Sequence, residues 1–157
     1  MANIRINDLA EFPELICVCA QWSFDAWGKY TPGATVQKSR EKFREHCNKD
    51  SLPTTILPML GEKVAGMASL RTSDGLKEDL TPWLGGLYVE KKMRRQGIGK
   101  RLIKQIEGKA IELGFGELHL LTYDQSLSAW YSSLGWRRIG MDSVHGHPVT
   151  VMKISLT

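Results

Sequence analysis

Apolar and polar positions divide this chain into alternating helical and strand-like stretches. Leu15, Val18, Cys19 and Trp22 recur at helical spacing and predict a helix over residues 12–27, which Asp8 is placed to cap. Tyr30-Thr-Pro-Gly33 ends it, and a polar second helix over 35–48 turns Val36, Phe43 and Cys47 inward. A short strand, 3–6, precedes both. Residues 54–60 and 63–71, joined by Gly61-Glu62, predict an antiparallel hairpin. A polar loop, 72–81, leads to a strand over 82–90 whose Gly85-Gly86 pair predicts a bulge or a close backbone approach.

Ile98, Leu102, Ile106, Ala110 and Leu113 then mark the apolar face of a third helix, ended by Gly114. A strand over 117–122, a short helix over 126–134 and strands over 136–141 and 148–156 complete the chain. The order β-α-α-β-β-β-α-β-α-β-β predicts an α/β chain with a mixed sheet, not a doubly wound repeat.

Composition narrows the class. The 157 residues suit one compact domain, and 42% hydrophobic with 24% charged residues is enough apolar material for a core. No stretch approaches the roughly 18 apolar residues of a membrane span. The opening residues lack the basic and apolar regions of a signal peptide. Three cysteines, Cys17, Cys19 and Cys47, do not make a disulfide framework. The expectation is a single cytoplasmic domain.

Charge changes the picture more. Net charge is +4, yet Lys91, Lys92, Arg94, Arg95, Lys100 and Arg101 are six of the 21 basic residues. Without them 15 basic residues face 17 acidic ones. The basic character is local and points to one anionic ligand. No aromatics interleave the cluster to stack bases, which argues against nucleic acid. Within it, Gly97-Ile-Gly99 opens the third helix, where backbone N–H groups and the helix dipole suit a pyrophosphate. Neither the P-loop ending nor the Rossmann glycine spacing is present.

Arg94-Arg-Gln-Gly97-Ile-Gly99, directly after Leu87-Tyr-Val89, resembles the Arg/Gln-x-x-Gly-x-Gly/Ala signature of the GNAT superfamily of N-acetyltransferases. Ala129-Trp-Tyr131-Ser-Ser-Leu-Gly135-Trp136 is similar to that superfamily's second feature, a Tyr in a helix ending Leu-Gly-aromatic. The order of elements also fits. Lys91 departs from a frequent Pro.

The resemblance implies a mostly antiparallel mixed sheet flanked by helices, with two parallel strands splayed around acetyl-CoA as co-substrate. The pantetheine arm would run along Leu87, Tyr88 and Val89, and the pyrophosphate would lie on Arg94, Arg95, Gln96, Gly97, Ile98, Gly99 and Lys100. Tyr131 would be the general acid toward the leaving thiolate. A finer resemblance of 118–125 to the actin N-terminal acetyltransferase branch marks Thr122 and Gln125 as cofactor contacts.

The implied reaction is direct attack by a primary amine of a small molecule or peptide. A CoA-binding regulatory module without turnover is the alternative. No carboxylate near Gly85-Gly86 offers itself as general base, which leaves a water relay, His119 or Asp124. No metal is expected: Cys17 and Cys19 point to different helix faces, and His145-Gly-His147 lacks identifiable partners. Glu11, Glu14, Asp25, Glu41, Glu45, Asp50, Asp74, Glu78 and Asp79, with Trp22, Trp27 and Trp83, predict a cationic acceptor. Neither nucleic acid nor a membrane is an expected partner, and a homodimer is left open.

Overall fold

A computed structural model describes residues 3–76 and 79–156. Its elements are β1 (Arg5–Asp8), α1 (Ile16–Trp27), α2 (Val36–Glu45), β2 (Thr54–Leu60), β3 (Lys63–Val64), β4 (Gly66–Arg71), β5 (Trp83–Val89), α3 (Ile98–Glu112), β6 (Glu117–Thr122), α4 (Ser126–Ser133), β7 (Arg137–Val144) and β8 (His147–Ser155). One sheet runs β1-β2-β4-β5-β6-β8-β7, with β3 paired to β2. Only the β5–β6 pair is parallel among these described strands. This is the mixed, mostly antiparallel architecture expected.

The strands alternate their side chains between two layers, as the pleat requires. Ile56, Ala68 and Leu70 pack with Leu102, Ile103 and Ile106 of α3, while Leu57, Met59 and Met67 pack with Cys19 and Ala20 of α1 and Phe43 of α2. The sheet is therefore covered on both faces, and β5 and β6 lie at its centre.

Four local expectations are corrected. The first helix starts at Ile16 rather than residue 12, after 3₁₀ turns at Leu9–Glu11 and Pro13–Leu15. Pro13 excludes helical backbone at the residue before it, and Phe12 stands at φ −134°, ψ 60°. The Asp8 side chain caps nothing; it pairs with Lys109 of α3 at 2.9 Å. The strand expected over 63–71 is split at Ala65, whose N–H donates to the Pro58 carbonyl. The seventh strand continues to Val144, and His145 (φ 47°) and Gly146 (φ 82°) form its two-residue hairpin turn.

Candidate active site

The two parallel strands touch at one place and then part. Trp83 pairs with His119, and the His119 N–H donates to the Pro82 carbonyl at 3.0 Å. Beyond that point β5 bulges: Ser69 faces Gly85 but Met67 faces Tyr88, so Gly86 and Leu87 together oppose Ala68. Gly86 adopts φ +58°, a conformation that glycine enters without steric cost. Between the diverging strands lies a cavity of about 500 Å³, lined by Leu84, Gly86 and Leu87 on one side and Leu120 and Thr122 on the other. That volume is in the range of small-ligand sites.

At the end of β5 the basic turn brings the chain into α3. Arg95 (φ 66°) and Gly97 (φ 80°) are both left-handed, and Gly97 caps the helix with no side chain closing it. Among the described residues, no group accepts from the N–H groups of Gly97, Ile98, Gly99 or Lys100. Nothing lies within 4 Å of where a Gly97 Cβ would stand, so the helix start is open. Open donors at a positive helix end fit a pyrophosphate.

Four of the six basic side chains divide into tethered and free ones. Arg94 donates from Nε to the Val89 carbonyl at 2.7 Å and lies 5.4 Å over the Tyr88 ring. Arg101 donates to the Ile4 carbonyl at 3.0 Å. Arg95 and Lys100 make no ion pair among the described residues. Trp130 flanks the same helix start, its Cη2 3.4 Å from a Cβ built on Gly99.

Tyr131 projects from α4 into the cavity, its ring packed 5.0 Å from Trp130 and 6.2 Å from Trp136. Burial pushes its phenol up to about 12, so it is protonated at neutral pH. Its hydroxyl has no hydrogen-bond partner among the described residues.

The remaining sequence candidates separate. Thr122 lines the cavity and closes a local turn with Asp124, accepting from its N–H at 3.2 Å. Gln125 is turned to β8, where its Oε1 accepts from Thr150 at 2.7 Å. His119 is buried against Trp83, with Nδ1 3.1 Å from the Pro82 carbonyl, and does not line the cavity. Asp124 does line it, and hydrogen bonds from Ser126 hold its carboxyl below the usual range. His145 lines it as well. Among the described residues no three His, Cys, Asp or Glu side chains are grouped to hold a metal ion.

The far wall of the cavity holds a polar cluster. Arg71, at the end of β4, donates from Nε to His46 at 3.1 Å and from Nη1 to Asp74 at 2.9 Å. His46 is 3% exposed, and its Nδ1 lies 2.6 Å from the Lys42 carbonyl. A neutral ring protonated at Nδ1 satisfies both contacts. Burial, then the charge of Arg71, pulls its pKa down to about 3, which agrees with that form. Lys42 lines the wall beside Arg71. Tyr30 crosses the cavity to stack on Tyr123, with ring centroids 3.7 Å apart and planes within 1°.

Of the carboxylates expected around an acceptor, Glu11, Glu14, Asp25, Glu41, Glu45, Asp50 and Asp79 do not line this cavity, Asp74 does, and Glu78 lies outside the described residues. Trp27 lines it, whereas Trp22 stacks on Tyr88 at 5.1 Å and Trp83 is fully buried.

The family profile described as Acetyltransferase (GNAT) family matches residues 19–136. The chain belongs to the GNAT acetyltransferase family. It is 27% identical over 150 residues to N-alpha-acetyltransferase 80 of Mus musculus, covering 92% of this chain but 44% of that protein. The chain thus spans less than half the length of that curated relative. Its fold is similar to that of an aminoglycoside 6′-acetyltransferase type Ii (TM-score 0.74, 19% identity, 99% of this chain and 97% of the other). It is also similar to N-acetylglutamate synthase from Neisseria gonorrhoeae complexed with coenzyme A and N-acetyl-glutamate (TM-score 0.72, 17% identity, 100% of this chain and 36% of the other).

Sequence reasoning missed Arg71, His46 and Lys42 in this GNAT chain. A signal existed. The glycine pair on β5 requires that something else fill the space beside it, and an arginine ending the neighbouring strand is within reach.

Proposed function

We propose that this chain is an acetyl-CoA-dependent N-acetyltransferase that moves an acetyl group to a primary amine of a small molecule or peptide by direct attack. The splayed strands and Tyr131 on one cavity, with the open start of α3 at the end of the same β5, carry this reading. N-alpha-acetyltransferase 80 and the solved relatives complexed with coenzyme A support it by analogy. When bound, acetyl-CoA supplies a thioester whose C–S bond breaks as the C–N bond forms, with the electron pair leaving on sulfur.

The chain's residues bind and orient the reacting groups. Gly97, Gly99 and Lys100 hold the phosphate end through N–H groups and charge, and Gln96 and Ile98 shape the loop. Leu87, Tyr88 and Val89 present backbone to the pantetheine arm, with Thr122 opposite. Positioning of this kind is worth several orders of magnitude in rate. Tyr131 holds the departing thiolate by a hydrogen bond from its phenol. With its pKa near 12, far above a thiol at about 8.5, the phenol keeps its proton and the bond itself is the stabilising element. The amine proton leaves through water. Gln125 accepts from Thr150 of β8, which anchors the start of α4.

A thiol-release assay over a panel of amines, with calorimetry for acetyl-CoA, tests this reading. Amine-dependent release of CoA supports it. Tight CoA binding with no release for any amine favours a regulatory module, and absence of CoA binding overturns both.

A further inference from the structure

We infer that the acceptor carries a carboxylate on the same molecule as its reacting amine, and that Lys42 and Arg71 bind that carboxylate at the far wall of the cavity. This rests on the N-acetyltransferase reading above and names the acceptor class for the same site.

The argument begins at the bulge. A Cβ on Gly85 would meet Arg71 Nη1 at 2.5 Å, and one on Gly86 would meet Nη2 at 3.0 Å. The guanidinium thus occupies the place where side chains of the splayed strand would otherwise stand. A carboxylate there would serve as base or as partner for a cationic amine. A guanidinium does neither, because it has no acceptor atom and stays protonated.

Charge on this wall does not cancel. Asp74 takes Nη1 of Arg71, and His46 takes Nε as a neutral acceptor that adds no charge. Nη2 has no hydrogen-bond partner among the described residues and lies beside Gly86, which lines the cavity. Lys42 is the second cation, and none of the described carboxylates pairs with it. The Arg71 guanidinium beside it pulls its ammonium down to about 8, the mark of two cations held together. Lys42 and Arg71 against Asp74 leave one positive charge, which matches one carboxylate.

On the other side of β5 the cavity is lined by Asp124, just after β6, and by Tyr131 of α4. The cavity is therefore bipolar: cations on the β4–α2 side, a carboxylate on the β6–α4 side. A zwitterion of amino-acid or dipeptide size fits both ends. A polyamine or aminoglycoside would set further ammonium groups beside Lys42 and Arg71, a like-charge contact that opposes binding.

The test varies the acceptor first, so that folding is not at issue. With saturating acetyl-CoA, CoA release is measured for the free protein amino acids, β-alanine and several dipeptides, for the carboxamide of each, and for spermidine. The expected result is kcat/KM at least 10-fold higher for the best carboxylate-bearing amine than for its carboxamide. In Lys42→Met, a change on an exposed helix position, the ratio should fall to about threefold or less, with acetyl-CoA affinity unchanged. Arg71→Lys should lower it by the same route. Equal kcat/KM for the carboxylate and carboxamide forms, or a preference for spermidine, would overturn the inference while leaving the N-acetyltransferase reading intact. Acetyl-CoA binding without turnover of any carboxylate-bearing amine would also overturn it. Loss of acetyl-CoA binding in the wild-type protein would overturn the underlying reading instead.

Discussion

Arg71 and Gly85 share one volume: a methyl group added at Gly85 would stand 2.5 Å from Nη1 of the guanidinium. The guanidinium cannot swing aside freely, because Asp74 and His46 hold it at 2.9 and 3.1 Å. Gly85→Ala is therefore expected to cost about 1–3 kcal/mol by overpacking and by disturbing those contacts. In an Arg71→Ala background the same substitution should cost little, since the competing atoms are gone. Urea unfolding of the four proteins measures the coupling. An equal cost in both backgrounds would show that the glycine is required for another reason.

His46 makes stability depend on acid. Its folded pKa near 3 lies below the ordinary value of 6.5, so the folded protein keeps the ring neutral where the unfolded chain would protonate it. The stabilising contribution is complete above about pH 6.5 and is lost as pH falls from there toward 3, by about 1.4 kcal/mol per unit at most. His46→Gln retains polar atoms without the titration. Its unfolding free energy should fall less steeply than that of the wild type between pH 6.5 and 4.5. Parallel curves would mean that the wild-type ring titrates normally.

The fold was legible because its largest elements keep a strict period. Ile98, Leu102, Ile106 and Ala110 stand one turn apart, and all four are buried on α3 as that spacing requires. Gly85-Gly86 announced the bulge from the sequence. What the glycines make room for was not legible, because Arg71 reaches them across a strand pairing rather than along the chain. The same holds for Tyr30 and Tyr123, 93 positions apart in sequence and stacked in space. The start of α1 was misplaced for a local reason, Pro13, whose effect on Phe12 outweighs the helical spacing of the residues that follow. The acidic residues counted around α1 and α2 do not line the cavity, since formal charge along a helix does not say which side chains reach one.

Gly97 separates backbone demand from ligand demand. It stands at φ 80° with open space around its Cβ position, so alanine meets strain but no collision. Gly97→Ala should lose about 1 kcal/mol, and Gly97→Val more, because a branched side chain is poorly tolerated there. Both should weaken acetyl-CoA binding beyond that loss, since the added carbon projects from the helix start where the open N–H groups lie. Calorimetry below the unfolding transition of each variant reads the affinity directly. Unchanged affinity in folded Gly97→Val would remove this loop from the cofactor site.

Tyr131 is the residue on which packing and chemistry make opposite forecasts. Its ring is held between Trp130 and Trp136, and Tyr131→Phe keeps that ring. The hydroxyl has no partner among the described residues, so its removal should leave the unfolding midpoint close to that of the wild type. If Tyr131 only packs, turnover should be equally unaffected. If its proton serves the leaving thiolate, kcat should fall by roughly 10²-fold while acetyl-CoA affinity holds, the pattern for an interaction made in the transition state. The phenol near 12 sets the pH signature, because the proton-bearing form persists across any pH the fold tolerates. The wild-type profile should therefore show no alkaline limb from Tyr131 below about pH 10. Steady-state kinetics from pH 6 to 10 on both proteins, with thermal unfolding as the control, decide between the two. Full turnover in a folded Tyr131→Phe would assign the tyrosine to the core alone.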